Sequence, residues 1–200
     1  MITFNDVKKF FSIKKYGKLK LGIWTIFYLG IITGCFCKFS FDFFNNIFFQ
    51  KINFWNLELF NTIIFTEIFI ILLLFLFSLT IFGTIISFIL TFAKGLGIGI
   101  VIYFLYSKFL IKGIFFGILA LLPGLFISSV ALIFFAEESV KLSILITKKI
   151  FYKNKNWPCL NFKLHIKSFV KALIISGFGV FIHVFLAYIF LKLFNFFNIF

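Results

Sequence analysis

Arginine is absent from this 200-residue chain, so its formal charge of +14 comes entirely from lysine. Without guanidinium forks the chain lacks the group best suited to read base edges bidentately, which argues against a nucleic-acid partner. Charge of either sign is also scarce. Charged residues make up 13% of the chain, where a soluble domain carries about a quarter, and too few remain to cover a water-facing surface. Cysteine is limited to Cys35, Cys37 and Cys159. Cys35-Phe36-Cys37 does not have the C-x-x-C spacing of redox and zinc motifs, so packing is the expected role and no metal or cofactor is implied. There is no phosphate-binding loop for ATP hydrolysis, and Gly95-Leu-Gly97-Ile-Gly99 has no βαβ unit around it to make a dinucleotide site.

What is present is apolar. Hydrophobic residues make up 62% of the chain and aromatics 24%, with a mean hydropathy of +1.15. A chain of this kind needs the bilayer as its solvent. Residues 1–20 carry Lys8, Lys9, Lys14, Lys15, Lys18 and Lys20, with Phe4, Val7, Phe10, Phe11 and Ile13 near one helical side. That pattern predicts a short basic amphipathic helix on an anionic leaflet. A first span follows over Leu21–Cys37. Residues 38–60 mix Asp42, Lys51 and Glu58 with many aromatics and read as an external interfacial segment.

From Ile68 to Ser107 the one charge is Lys94. As helix, those residues would run about 60 Å, twice the hydrocarbon thickness, so the chain must turn back once. Gly83 is the natural place, giving a second span near Asn61–Phe82 and a third near Thr84–Tyr106. A fourth runs from Gly113 to about Ala136 and contains Pro123-Gly124. Residues 137–171 hold eight lysines and read as a cytoplasmic basic loop, and a fifth span covers Ala172 to about Leu193. Both basic segments belong inside under the positive-inside rule, so an even number of spans must separate them. The expected fold is all-α: a polytopic transmembrane bundle of about five spans over a single integral membrane domain, 1–200. Its N-terminus is expected in the cytoplasm and its C-terminus outside.

Small residues mark expected helix contacts, because close backbone approach is what drives packing in lipid. They are Gly30 and Gly34 on the first span, Thr84, Ser87, Thr91, Gly95 and Gly99 on the third, and Gly113, Gly117, Ala120, Gly124, Ser128 and Ala131 on the fourth. Most of these contacts are expected within one chain, with a homo-oligomer seam as the alternative. Lys94 is the intramembrane charge with a candidate functional role. Glu67 is expected near the outer face and Glu137 and Glu138 near the inner, so no carboxylate is expected at its depth. The glycines after Lys94 suggest a helix break there. His165 is expected to be solvated in the basic loop, and His183 to hydrogen-bond a neighbouring helix.

Two chemical alternatives are weaker. Ile32-Thr33-Gly34-Cys35 resembles a lipobox, which would leave a lipidated Cys35, although Phe36 and its late position weigh against that. Glu137-Glu138 is similar to the paired glutamates of intramembrane CAAX-type proteases, but Leu142 stands where that pattern wants an Arg and Gly179 where it wants a Phe before His183. No enzyme activity is expected.

Phe92-Ala93-Lys94-Gly95, Gly97-Ile98-Gly99, Gly113, Gly117, Leu122-Pro123, Ser143 and Lys148-Lys149-Ile150-Phe151 together resemble the stage II sporulation protein M family. So does the layout of a first span with Gly30 and Gly34 and a single final span. The resemblance implies a multi-pass protein of the bacterial cell (inner) membrane. It would serve as a scaffold in the engulfment machinery of sporulation, tethering peptidoglycan hydrolases, the stage II sporulation proteins D and P, at the septal membrane. The alternative function is a permease subunit driven by a separate ATPase, with Lys94 on the pathway.

Overall fold

The computed structural model describes residues 13–36, 57–151 and 162–196, and among them there is no strand. Five helices follow one another: α1 (Ile13–Phe36), α2 (Leu57–Ser78), α3 (Gly83–Phe116), α4 (Leu122–Phe151) and α5 (Phe162–Phe196). A five-residue π turn, Gly117–Leu121, joins α3 to α4. Helix is what the sequence demands, because backbone groups in hydrocarbon must bond within their own segment. Even the hydroxyls obey this: Thr33 donates to the Leu29 carbonyl (2.9 Å), Thr66 to that of Ile63 (2.8 Å) and Thr91 to that of Ser87 (2.7 Å).

Leu19–Phe36, Gly83–Ser107, Leu110–Phe151 and Phe162–Ile189 are each long and apolar enough to cross a membrane, and Ile63–Ser78 is a shorter apolar helix. That shorter stretch belongs to a helix of 22 residues, about 33 Å against a hydrocarbon core of about 30 Å. Phe69, Ile89, Phe126, Phe178 and Phe181 are exposed on the outside of the bundle. A surface this apolar is solvated by lipid.

The chain reverses where Gly83 predicted. α2 ends at Ser78, four residues earlier than expected, and Thr80 N–H donates to the Phe77 carbonyl (2.9 Å) in the turn. A Cβ on Gly83 would run into that same Phe77 carbonyl, so α3 can start this close to α2 only with glycine. The second reversal lies at Leu110, whose φ of 51° and ψ of −132° break α3 and bring Gly117 against Leu105. The predicted break after Lys94 does not occur, and α3 is continuous through Gly95, Gly97 and Gly99. Leu110 is 64% exposed and occupies a backbone region that glycine prefers. Leu110→Gly is therefore expected to raise the melting temperature in detergent, and Leu110→Val to lower it, both read by circular dichroism.

Three further expectations change. The basic N-terminal segment is not a separate helix over its described part: from Ile13 it is continuous with the first span, and residues 1–12 lie outside the described residues. Of the interfacial segment 38–60, residues 57–60 form the start of α2 and the rest lie outside the described residues. Residues 137–151 and 162–171 are helix and not loop, since α4 runs on to Phe151 and α5 begins at Phe162, with 152–161 outside the described residues. The reason is a one-sided pattern: Ser139, Val140, Leu142 and Ser143 are buried while Lys149 is exposed. The helices simply outrun the hydrocarbon.

α4 sits at the centre. Its Leu132, Ile133, Phe135, Ala136 and Val140 share one core with Ile23 and Phe27 of α1, Ile71 and Leu74 of α2, Ile98 of α3 and Ala172 of α5. A smaller core of Leu105, Phe116, Ala120, Leu121 and Ala187 fills the end near Leu110.

Candidate functional site

α1 and α3 meet through glycine on both sides. A Cβ on Gly30 would strike the Phe92 carbonyl and one on Gly34 the Leu96 carbonyl, while Gly95 and Gly99 would strike those of Phe27 and Ile31. The numbers rise together, so the two helices run parallel, as two spans separated by one return crossing must. Cys35 lies in this seam, with its backbone N 2.9 Å from a Cβ built on Gly99. On α4, Gly124 lies against His183 and accepts no side chain, and Gly179 of α5 is packed on the Ser128 backbone. Gly113 is buried, Gly117 opens the π turn, and Pro123 follows it. The turn widens because proline offers no N–H to the preceding residues; Leu122 N–H bonds instead to the Gly117 carbonyl, five residues back.

Beside the α1–α3 seam, Lys94 is paired with Glu67 of α2, both side chains about nine-tenths buried. Ser176 of α5 donates to the second Glu67 oxygen (3.4 Å). The expectation that no carboxylate reaches the depth of Lys94 is overturned. Eleven residues separate Glu67 from Ser78 and eleven separate Gly83 from Lys94, which sets both side chains about 16 Å from the turn. A second span drawn to Phe82 sets Glu67 four residues farther from the turn than it is with α2 ending at Ser78. A cleft of about 140 Å³ between α2 and α5 reaches this site, with Glu67, Ser176 and Gly177 among its lining.

A second polar cluster surrounds the α2–α3 turn. Ser143 of α4 accepts from Thr84 N–H (3.1 Å) and lies 2.9 and 3.1 Å from the Thr80 and Ile81 carbonyls. Ser87 donates to the Gly83 carbonyl (2.6 Å), so in its contact with Ser139 (3.0 Å) Ser139 is the donor. Ser78 Oγ donates to the Phe75 carbonyl (2.6 Å), so its contact with His165 Nε2 (2.7 Å) makes that nitrogen the donor. His165 is 4% exposed, not solvated, and its ring stacks against Phe75 and Phe135, each 5.4 Å away. His183 Nδ1 lies 3.2 Å from the Leu121 carbonyl, which can only accept. Ser143→Ala removes the hydroxyl that Thr84 N–H and the Thr80 and Ile81 carbonyls share, with only the Thr80 carbonyl keeping a turn bond, from Gly83 N–H (3.3 Å), and is expected to lower stability by about 1–3 kcal/mol. Thr147→Ala, which removes a bond within α4 (2.8 Å), is the control that should change little in the same detergent melt.

Glu137 and Glu138 both bind Lys141 at 2.9 Å. His183 lies beside Gly124, thirteen residues along α4 from Glu137 and so about 20 Å away. The residues of the protease-like pattern are not brought together.

Fold and site define a multi-pass α-helical membrane protein in which the buried Glu67–Lys94 pair and Ser176 join three helices. Comparison with family models, curated proteins and solved structures finds no match to the chain.

Proposed function

We propose that the chain is a membrane scaffold of the kind the stage II sporulation protein M resemblance implies. It would sit in a bacterial cell membrane, N-terminus inside and C-terminus outside, and hold peptidoglycan hydrolases, the stage II proteins D and P, at the septal membrane during engulfment. It would do no chemistry itself. The observation that supports this reading is where the resembling residues sit. Gly95 and Gly99 seat α3 on α1, Lys94 binds Glu67, Ser143 holds the α2–α3 turn, and Gly117 and Pro123 shape the π turn. These are the joints of a rigid frame, and a frame suits a tether.

A permease subunit is the second reading, favoured by the cleft that ends on Glu67 and Ser176. Two experiments divide them. Deleting the gene and imaging engulfment, with pull-down of wall hydrolases by the tagged chain, should give stalled membranes and copurifying hydrolases for a scaffold. Normal engulfment with no hydrolase recovered defeats it. The paired Glu67→Leu/Lys94→Leu variant should still recruit partners as a scaffold and should abolish transport as a permease.

A further inference from the structure

The end of the bundle that holds the α2–α3 turn carries a second cleft, of about 250 Å³, between α4 and α5. Its walls are of two kinds. Phe134 and Ile175 make an apolar side, and Glu137, Glu138, Ser168 and Lys171 make a polar one with both signs of charge. No ion pair among the described residues joins Lys171 to the glutamates, which are bound through Lys141 instead.

The depth of the polar wall can be counted from the turn. Glu138 is five residues from Ser143, and Lys171 is six from His165; both of those residues touch the turn. The acidic and basic rims therefore lie about 8–9 Å inward from it. Both rims are thus about half as far from the turn as the buried Glu67–Lys94 pair, which lies about 16 Å from it. Lys20 of α1, whose Nζ is 5.2 Å from the centre of the Phe134 ring, brings a further cation to the same level from the neighbouring helix.

We propose that this cleft binds one phospholipid with a primary-ammonium headgroup. The ammonium donates to Glu138 and Glu137, the phosphate accepts from Lys171 and Ser168, and an acyl chain lies along Phe134 and Ile175. An anionic headgroup without an amine would satisfy Lys171 but face two carboxylates whose two charges the single Lys141 ammonium only half offsets. A quaternary ammonium has the charge and no N–H to donate, so it forfeits the charge-assisted bonds that discriminate here. The site is independent of whether the chain recruits hydrolases.

The test is native mass spectrometry on the full chain in mild detergent, with phosphatidylethanolamine, phosphatidylcholine and phosphatidylglycerol added in equal amounts. The expected result is about tenfold greater retention of the ethanolamine lipid than of either competitor. Glu138→Gln should bring it down to the level of the choline lipid, and Lys171→Ala should lower retention of all three lipids, with melting in lipid-free detergent unchanged. Equal retention of the ethanolamine and choline lipids overturns the proposal, as does glycerol lipid retained as well as either. Because the headgroup series is read on the unsubstituted chain, the proposal is tested even if a variant fails to fold.

Discussion

Glu67→Leu and Lys94→Leu, made singly, are expected to destabilise the bundle by about 3–5 kcal/mol each, and the two together by far less than their sum. Each single variant leaves one charge buried in a low-dielectric interior with no counter-ion. A lone lysine at the centre of a bilayer helix already costs about 2.5–3.5 kcal/mol on an insertion scale. The surroundings give little relief, because both side chains are about nine-tenths buried among α2, α3 and α5. The double variant removes both charges and returns the site to a leucine-lined contact, which lipid and neighbouring helices accept. Ser176 should then contribute nothing, so Ser176→Ala should destabilise the parent but not the double variant. A double-mutant cycle on unfolding in mixed micelles reads the coupling. Additive losses, with the double variant worst of all, would show that the pair is not what holds these helices together.

Leucine at Gly34 or Gly99 is expected to break the α1–α3 seam, whereas leucine at Gly97 is expected to be neutral. The three positions share a sequence neighbourhood but not an environment. A Cβ on Gly34 or Gly99 would fall inside the backbone of the partner helix, while one on Gly97 meets nothing within 4 Å. Backbone cannot rotate away as a side chain can, so the helices must separate and forfeit the packing that holds them in lipid. Overpacking alone typically costs about 1–3 kcal/mol, and the loss should be at the upper end here because the seam is backed by the shared core around Ile23 and Phe27. A disulfide between cysteines introduced along α1 and α3 gives the readout: it should form in the Gly97→Leu variant and fail in the Gly99→Leu variant. Equal destabilisation at all three positions would mean the helices do not approach through glycine.

Hydropathy and lysine parity were enough to set the helix count, the reversal at Gly83 and the parallel relation of the first and third helices. Small-residue spacing was enough to pick Gly30, Gly34, Gly95 and Gly99. What could not be read was depth. The end of an apolar run says where hydrocarbon stops in composition, not where the chain turns, and a shift of four residues at the end of α2 hid Glu67 from Lys94. The second reversal is legible as the gap between the spans ending near Tyr106 and starting at Gly113, and the Leu110 break falls inside it; its exact residue carries no glycine or proline mark. The burial of His165 and Ser143 is hidden for a related reason. A polar, lysine-rich stretch resembles a loop until one notices that Ser139, Val140 and Ser143 fall on one inward face and carry the helix past the membrane boundary. Gly179, which packs on the Ser128 backbone, follows Ala172 and Ser176 at helical spacing, so the same small-residue pattern points to it.

The central claim is that the chain crosses a membrane in alternation, with the α2–α3 turn on the side of the basic ends of α4 and α5, and the Leu110 break on the other. Substituted-cysteine labelling in intact cells tests it most directly, in a background where Cys35, Cys37 and Cys159 are replaced by serine. Phe82→Cys, Ile150→Cys and Phe162→Cys probe one face, and Leu110→Cys the opposite one; all four positions are exposed in the structure. An impermeant maleimide is predicted to label the Leu110→Cys variant alone, with the other three labelled only after the membrane is opened. Labelling of the Phe82→Cys variant from the same side as Leu110→Cys would contradict the account.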